Sequence, residues 1–178
     1  GLYCVSERML ERARAVPRRG YFLDLVRITE THAEAKPPMT PTIPLVRALL
    51  AQLETIAAGV LELELTDEPS DELAGLDGWG RRYRRHARMR GIVRDRLDAL
   101  GLGVLGGAAR GATSPSVTCV DMAGRDVAAT LAALADAGFT VAPGYGDLKD
   151  RALRIGHMGD HSVDGLGRLL DALEGALG

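Results

Sequence analysis

The sequence predicts an α+β domain in which helices pack on one face of a mostly antiparallel sheet. The order of elements from residue 79 onward supports this prediction, since it reads helix, strand, strand, helix, strand, strand, helix. Composition agrees, because 46% of the 178 residues are apolar, which is enough to build a hydrophobic core. The length suits one domain, or one domain with part of another.

Composition also excludes several classes of protein. The 22 basic residues nearly balance the 24 acidic ones, which argues against non-specific nucleic-acid binding by the whole surface. No apolar run approaches the roughly 18 residues that a membrane span needs. The only cysteines, Cys4 and Cys119, fit no metal or redox pattern. We therefore expect a cytoplasmic protein whose partners are neither nucleic acid nor membrane.

The first sixty residues contain two apolar runs and a proline-rich segment. Residues 2–5 could form a buried strand, and Ser6 opens a polar helix after it. Four prolines within residues 37–44 exclude a helix through that segment. A helix should follow, with Thr42 as its N-cap and Pro44 in its first turn. It should end at Gly59 and bury four side chains on one face, those of Leu45, Leu49, Leu53 and Ile56.

The acidic residues 61–77 predict a surface excursion. Leucine and glutamate alternate over residues 61–65, and Pro69 and two glycines then interrupt any regular structure. The remaining elements are then predicted in order. They are a helix over 79–100, strands over 102–105 and 116–120, a helix over 126–137, strands over 139–142 and 152–155, and a helix over 163–177 that Ser162 caps.

Eight arginines between residues 81 and 96 are the strongest charge feature. Such a helix could bind RNA or another polyanion. The arginines point in most directions around the helix, however, and the acidic residues 62–77 lie just upstream. We favour a solvated helix whose arginine side chains cover apolar surface and whose charged ends pair with that acidic segment.

Two other motifs are better explained by turns. His157 and His161 have the spacing of a metal pair, but Gly159 interrupts them and no third ligand is evident. A hydrogen-bonded turn is the expected structure. The glycine pair Gly144 and Gly146 lacks the third glycine and the helix of a dinucleotide fingerprint, so we expect a tight turn between strands.

Arg154 and two threonines are the candidate binding residues. Arg154 lies inside an apolar strand, where a guanidinium needs an anion. A ligand carboxylate or an internal ion pair would satisfy it equally well. Thr40 and Thr42 precede a helix and could offer hydroxyl groups to a phosphate, although helix capping is the commoner role.

Six stretches carry a resemblance to a known family. They are residues 1–8 (GLYCVSER), 21–25 (YFLDL), 39–44 (MTPTIP), 114–118 (SPSVT), 144–149 (GYGDLK) and 153–159 (LRIGHMG). In this order they resemble the C-terminal half of class V pyridoxal-phosphate aminotransferases, the alanine–glyoxylate and serine–pyruvate group. The resemblance runs over nearly the whole chain.

The resemblance implies an α/β protein of pyridoxal-phosphate fold type I, of which this chain is mainly the small C-terminal α+β domain. Residues 1–58 would end the large cofactor domain and include the interdomain helix. Residues 59–178 would form the small domain, with 61–77 as an acidic insertion. A homodimer with active sites shared between subunits is implied.

The resemblance also implies an activity and its residues. The reaction would move an amino group between a small amino acid, of the alanine, serine or aspartate type, and a 2-oxo acid such as glyoxylate or pyruvate. Arg154 would bind the substrate carboxylate, and Thr40, with Thr42 as second choice, would bind the phosphate of pyridoxal 5'-phosphate.

No catalytic residue is assigned within the chain. The family's Schiff-base lysine would lie upstream of Gly1, and Lys149 falls in a loop of the small domain. We therefore expect the 178 residues alone to be inactive, because transamination needs an amine to hold the cofactor and move the proton. The alternatives are a non-catalytic fragment and an arginine-helix module that binds a polyanion.

Overall fold

The computed structural model describes residues 3–106 and 113–178. The chain divides into two compact units, Gly1–Leu50 and Ala51–Gly178, and the division falls within one helix. Among the described residues, no helix combines the length and the apolar content that crossing a bilayer requires.

The first unit contains helix α1 (Glu7–Arg14), helix α2 (Leu25–Ala33) and the start of helix α3 (Ile43–Ala58). Ser6 and Asp24 cap α1 and α2 through their side-chain oxygens, which accept hydrogen bonds from main-chain N–H groups. Residues 3–5 form no strand, so the strand predicted there is wrong within the described residues. Its remaining position, Leu2, lies outside them.

Helix α3 begins and ends where the sequence predicts. The Thr42 carbonyl accepts hydrogen bonds from the N–H groups of Leu45 and Val46, and Pro44 lies in the first turn. Gly59 follows the helix with a φ of 69°, a left-handed conformation that glycine adopts without a steric penalty.

The expected buried face of α3 is largely wrong. Ile56 is buried, but the other three predicted side chains are exposed, at 68% for Leu45, 36% for Leu49 and 38% for Leu53. Periodicity shows that these side chains share a face, whereas their burial requires a neighbouring element to cover that face.

The second unit contains a four-stranded antiparallel sheet. Its strands are β1 (Gly103–Val104), β2 (Val117–Asp121), β3 (Ala142–Pro143) and β4 (Ala152–Gly156), in the spatial order β1-β2-β4-β3. The helices of this unit are α4 (Val60–Glu64), α5 (Gly78–Ala99), α6 (Val127–Asp136) and α7 (Val163–Leu177). The predicted α+β class and antiparallel sheet are confirmed.

One hydrophobic core joins the sheet to the helices. The buried side chains come mainly from α5, β2, α6, β4 and α7, and include Val93, Val120, Leu134, Leu153 and Leu170. Leu153 and Ile155 face this core, which leaves the intervening residue of β4 on the opposite face of the sheet. That alternation determines where the candidate binding residue lies.

Most residues of the acidic segment 61–77 are exposed, as the sequence predicts, but two of its side chains are buried. Its first residues belong to α4, where Glu62 is 1% exposed, and Leu73 further along is 2% exposed. Burying an unpaired carboxylate is costly, and α5 supplies two arginines that pair with Glu62.

Candidate functional site

Arg154 occupies the middle of the sheet. Strand β4 pairs it with Cys119 of β2 on one side and with Ala142 of β3 on the other. Its neighbours along the strand are buried as the sequence predicts, but the Arg154 side chain points to the opposite face and is exposed. Water therefore solvates the guanidinium, and burial does not force an internal anion on it.

The guanidinium of Arg154 is held at one of its nitrogens. Its Nε donates a hydrogen bond of 2.8 Å to the carbonyl oxygen of Pro143 in β3. Among residues 3–106 and 113–178, no carboxylate pairs with Arg154, so an internal ion pair is not formed there. The two terminal nitrogens therefore remain available for an external ligand.

A cavity of about 500 Å³ adjoins Arg154. Its walls are the chain segment 138–141, the end of β4, residues 160–162, and Gly165, Leu166 and Leu169 of α7. Apolar side chains such as Phe139 and Leu169 line it together with Arg154 and Arg168. Arg168 already forms an ion pair with Asp164, 3.2 Å from Nε to Oδ2. Arg154 is the unpaired cation at this cavity, and on the face to which its side chain points it also borders a cavity of about 230 Å³ beside Val117 and Cys119.

The turn that forms one wall of this cavity is anchored by buried charges. Glu62 accepts hydrogen bonds from two arginines of α5, at 2.7 Å from Arg82 Nη1 to Oε1 and 2.8 Å from Arg85 Nε to Oε2. Arg82 also donates to Asp160, at 2.9 Å from Nη2 to Oδ1. Two positive and two negative groups thus balance at this position.

Arg85 reaches the main chain of the same turn. Its Nη2 donates to the carbonyl oxygen of Gly159 at 2.8 Å, and its Nη1 donates to that of His161. Both carbonyls belong to the connection between β4 and α7. Arg85 therefore ties α5 to the segment that follows Arg154 in the chain.

Two more arginines of α5 pair with the acidic segment at the surface. Arg84 pairs with Glu68 and Glu72, and Arg88 pairs with Asp67. The hydrogen bond from Arg88 lowers the pKa of Asp67 below its usual value. The predicted pairing with the acidic segment is confirmed, but the helix is not simply solvated.

Sequence reasoning missed the buried charges, although a signal was present. Arg82 and Arg85 lie on the same face of α5 as the core residues Met89, Val93 and Leu97, at intervals of three and four residues. That spacing places them on the buried face. Applying it to arginine as well as to apolar residues would have indicated a buried counter-ion such as Glu62.

The two histidines of the predicted turn lie in different surroundings. His157 is fully buried, and its Nε2 lies 2.9 Å from the hydroxyl oxygen of Thr118. Burial lowers the pKa of this imidazole. His161 is exposed. Within the part of the chain that the structure describes, no three acidic, histidine or cysteine side chains are grouped to hold a metal.

Thr40 and Thr42 belong to the first unit. Both are exposed and directly precede the 16-residue helix α3. The N-terminus of a helix carries a partial positive charge, and hydroxyl groups donate hydrogen bonds to phosphate oxygens. This donor set suits a phosphate group.

The glycines at 144 and 146 form a tight turn, as the sequence predicts. The turn connects β3 to a single 3-10 turn at Gly146–Leu148 and then to β4, and Tyr145 at its tip is exposed. No α-helix follows the glycine pair, so the turn lacks the helix N-terminus that a glycine-rich dinucleotide site uses.

Comparison with known proteins identifies the fold. Aspartate aminotransferase of subgroup IV from Thermus thermophilus matches with a TM-score of 0.68 and 27% identity over 96% of this chain and 43% of that chain. Pyridoxamine–pyruvate aminotransferase from Mesorhizobium loti matches with a TM-score of 0.70 and 27% identity over 97% of this chain and 41% of that chain. Alanine–glyoxylate aminotransferase from Nostoc sp. matches with a TM-score of 0.69 and 24% identity over 97% of this chain and 42% of that chain. At this identity the match supports the fold alone.

These comparisons confirm the resemblance seen in the sequence. The structural neighbours are class V pyridoxal-phosphate aminotransferases, and the fold is part of fold type I. The chain spans less than half the length of the structures it matches. No family model matches it, and no curated protein does.

Proposed function

Because its structural neighbours are aminotransferases, we propose that this chain is the C-terminal portion of a pyridoxal-phosphate-dependent aminotransferase. In this proposal Arg154 binds the carboxylate of the amino-acid and 2-oxo-acid substrates. The observation that carries the proposal is the free end of the Arg154 guanidinium, which no carboxylate of the described chain neutralises.

Arginine suits this role because its planar group matches the geometry of a carboxylate. Nε of Arg154 is already occupied by the Pro143 carbonyl. The substrate carboxylate is therefore received by the two terminal nitrogens. A cation fixed in this way orients the substrate and lowers the entropic cost of reaching the reactive geometry.

We assign the phosphate of the cofactor to Thr40 and Thr42, at the start of α3. Pyridoxal phosphate supplies an electron sink when bound, which stabilises negative charge on the substrate carbon. The chain has only two lysines, Lys36 and Lys149, and both are exposed. We place the Schiff-base lysine in a segment that precedes Gly1 and expect the 178 residues alone to be inactive.

The proposal extends to the substrates and assembly of the whole protein. Small amino acids of the alanine, serine or aspartate type would donate the amino group, and glyoxylate or pyruvate would accept it. Two of the solved neighbours are named for reactions of aspartate and of pyruvate. We further propose a cytoplasmic homodimer with active sites shared between subunits.

The test is Arg154→Lys in the complete protein. Losing a bidentate, charge-assisted contact should raise KM for both substrates by about 10- to 100-fold, with cofactor affinity unchanged. The matched control is Arg151→Lys, because Arg151 belongs to the same hairpin and pairs with Asp121 at the surface. Unchanged KM and kcat in Arg154→Lys would remove Arg154 from the site.

A further inference from the structure

We infer that Gly144 is a positioning residue for Arg154. The main chain of the glycine turn holds the carbonyl group that orients the Arg154 guanidinium, and only glycine fits at the position that fixes it. This inference rests on the proposed role of Arg154 in carboxylate binding, and it adds the feature that prepares that arginine for its ligand.

The peptide group between Pro143 and Gly144 links Gly144 to Arg154. The carbonyl of Pro143 and the N–H of Gly144 belong to the same planar group, and in a trans peptide they point in opposite directions. The N–H donates a hydrogen bond of 2.7 Å to the carbonyl oxygen of Ala152 in β4. The carbonyl accepts the 2.8 Å hydrogen bond from Arg154 Nε. The N–H side of this peptide group is therefore fixed by β4, and its carbonyl side fixes the Arg154 guanidinium.

The space at Gly144 explains why this position requires glycine. A Cβ atom there would lie 2.1 Å from the carbonyl oxygen of Leu148 and 2.6 Å from its carbonyl carbon. Both contacts are with main-chain atoms, so no side-chain rotation can relieve them. Any larger residue would push the Pro143–Gly144 peptide away from Leu148 and change the direction of the Pro143 carbonyl.

The consequence for binding follows from the geometry of arginine. With Nε fixed, the guanidinium plane is set before a ligand arrives, and both terminal nitrogens can meet the two oxygens of a carboxylate. A guanidinium without that anchor must be ordered when the ligand binds, which weakens affinity. Gly144 therefore affects substrate affinity through Arg154 and touches no substrate itself.

The experiment compares Gly144→Ala with Gly167→Ala in the complete protein, alone and combined with Arg154→Lys. Gly167 lies in α7, where an added Cβ meets nothing within 4 Å. We expect Gly144→Ala to raise KM for the carboxylate substrates by about five- to tenfold, the effect of losing one hydrogen bond, with kcat changed less. Gly167→Ala should leave KM unchanged.

The double variant separates positioning from a general structural effect. If Gly144 acts through Arg154, adding Gly144→Ala to Arg154→Lys raises KM no further. A Gly144→Ala variant with lower thermal stability and unchanged KM would overturn the inference and leave the proposed function standing. An Arg154→Lys variant with unchanged KM would overturn both.

A measurement on the unaltered protein covers the case in which Gly144→Ala does not fold. Hydrogen exchange at Nε of Arg154, followed by nuclear magnetic resonance, should be slower than at Nε of the exposed Arg18, because the Pro143 carbonyl protects it. Equal exchange rates would show that the carbonyl does not hold the arginine. The inference would then be wrong.

Discussion

Glu62 and Arg85 form an ion pair in which both side chains are 1% exposed, with 2.8 Å between Oε2 and Nε. The second oxygen of Glu62 is bound by Arg82, so one carboxylate serves two cations. Neither charge can be solvated if its partner is removed, since water does not reach them. The pair therefore makes α4 and α5 depend on each other.

We expect Glu62→Gln to lower the free energy of unfolding by about 3–5 kcal/mol, because it leaves the buried Arg85 without a counter-charge. Glu72→Gln is the matched control, since Glu72 pairs with Arg84 at the surface over 3.3 Å. Its effect should stay below about 1 kcal/mol. Denaturant unfolding of both variants measures the difference, and equal losses would contradict the buried character of Glu62.

Gly78 lies where the main chain of α3 leaves no room for a side chain. A Cβ there would lie 1.8 Å from the carbonyl oxygen of Ile56, where the end of α3 meets the start of α5. Gly78→Ala should lower the free energy of unfolding by about 1–3 kcal/mol or more, since main-chain atoms have to move.

Gly91 in the same helix provides the control for Gly78. An added Cβ at Gly91 meets nothing within 4 Å. Gly91→Ala should raise the free energy of unfolding by about 0.5–1 kcal/mol, because alanine loses less conformational entropy in a helix. Thermal melts of the two variants should therefore shift in opposite directions, and a shift in the same direction would count against the close approach at Gly78.

The stability of the protein should fall as the pH drops from about 7 toward 5. Burial holds the pKa of His157 below its usual range, and the charges of His86 and Arg90 act in the same direction. The imidazole therefore stays neutral in the folded chain at pH values where the unfolded chain binds a proton, which favours unfolding. His86, whose pKa burial also lowers, adds to the same slope.

His157→Gln should reduce this pH dependence, because glutamine does not titrate and its amide can still reach Thr118. His32→Gln is the control, since His32 is exposed in the first unit. Unfolding measured at several pH values would give the slopes. A His157→Gln slope equal to that of the unaltered chain would show that His157 does not cause the acid sensitivity.

Because the side chains on one face of α3 differ in exposure, truncating them should lower the stability of the protein by different amounts. In the 178-residue chain, Ile56→Ala should lower the free energy of unfolding by about 2–5 kcal/mol, as expected for a buried isoleucine. Leu53→Ala should lower it by about 1 kcal/mol or less, because Leu53 is 38% exposed. Comparable losses at both positions would mean that Leu53 is covered.

The sequence by itself determined the elements whose signals are local. Pro44 and Gly59 mark the two ends of α3, the glycine pair makes the turn at 144–146, and Ser162 caps α7. The charges of the α5 arginines and of the acidic segment also predicted their pairing. These features follow from backbone geometry and charge, which are properties of the residues themselves and do not depend on tertiary contacts.

Only the tertiary structure decided which side chains are buried. Arg154 was expected among buried neighbours and is exposed, because its direction depends on which face of the sheet the helices cover. Glu62 was expected at the surface and is buried, because α5 presents two arginines to it. The hydrogen bond between Pro143 and Arg154 likewise joins neighbouring strands. Burial and such contacts depend on elements distant in sequence, so local patterns cannot specify them.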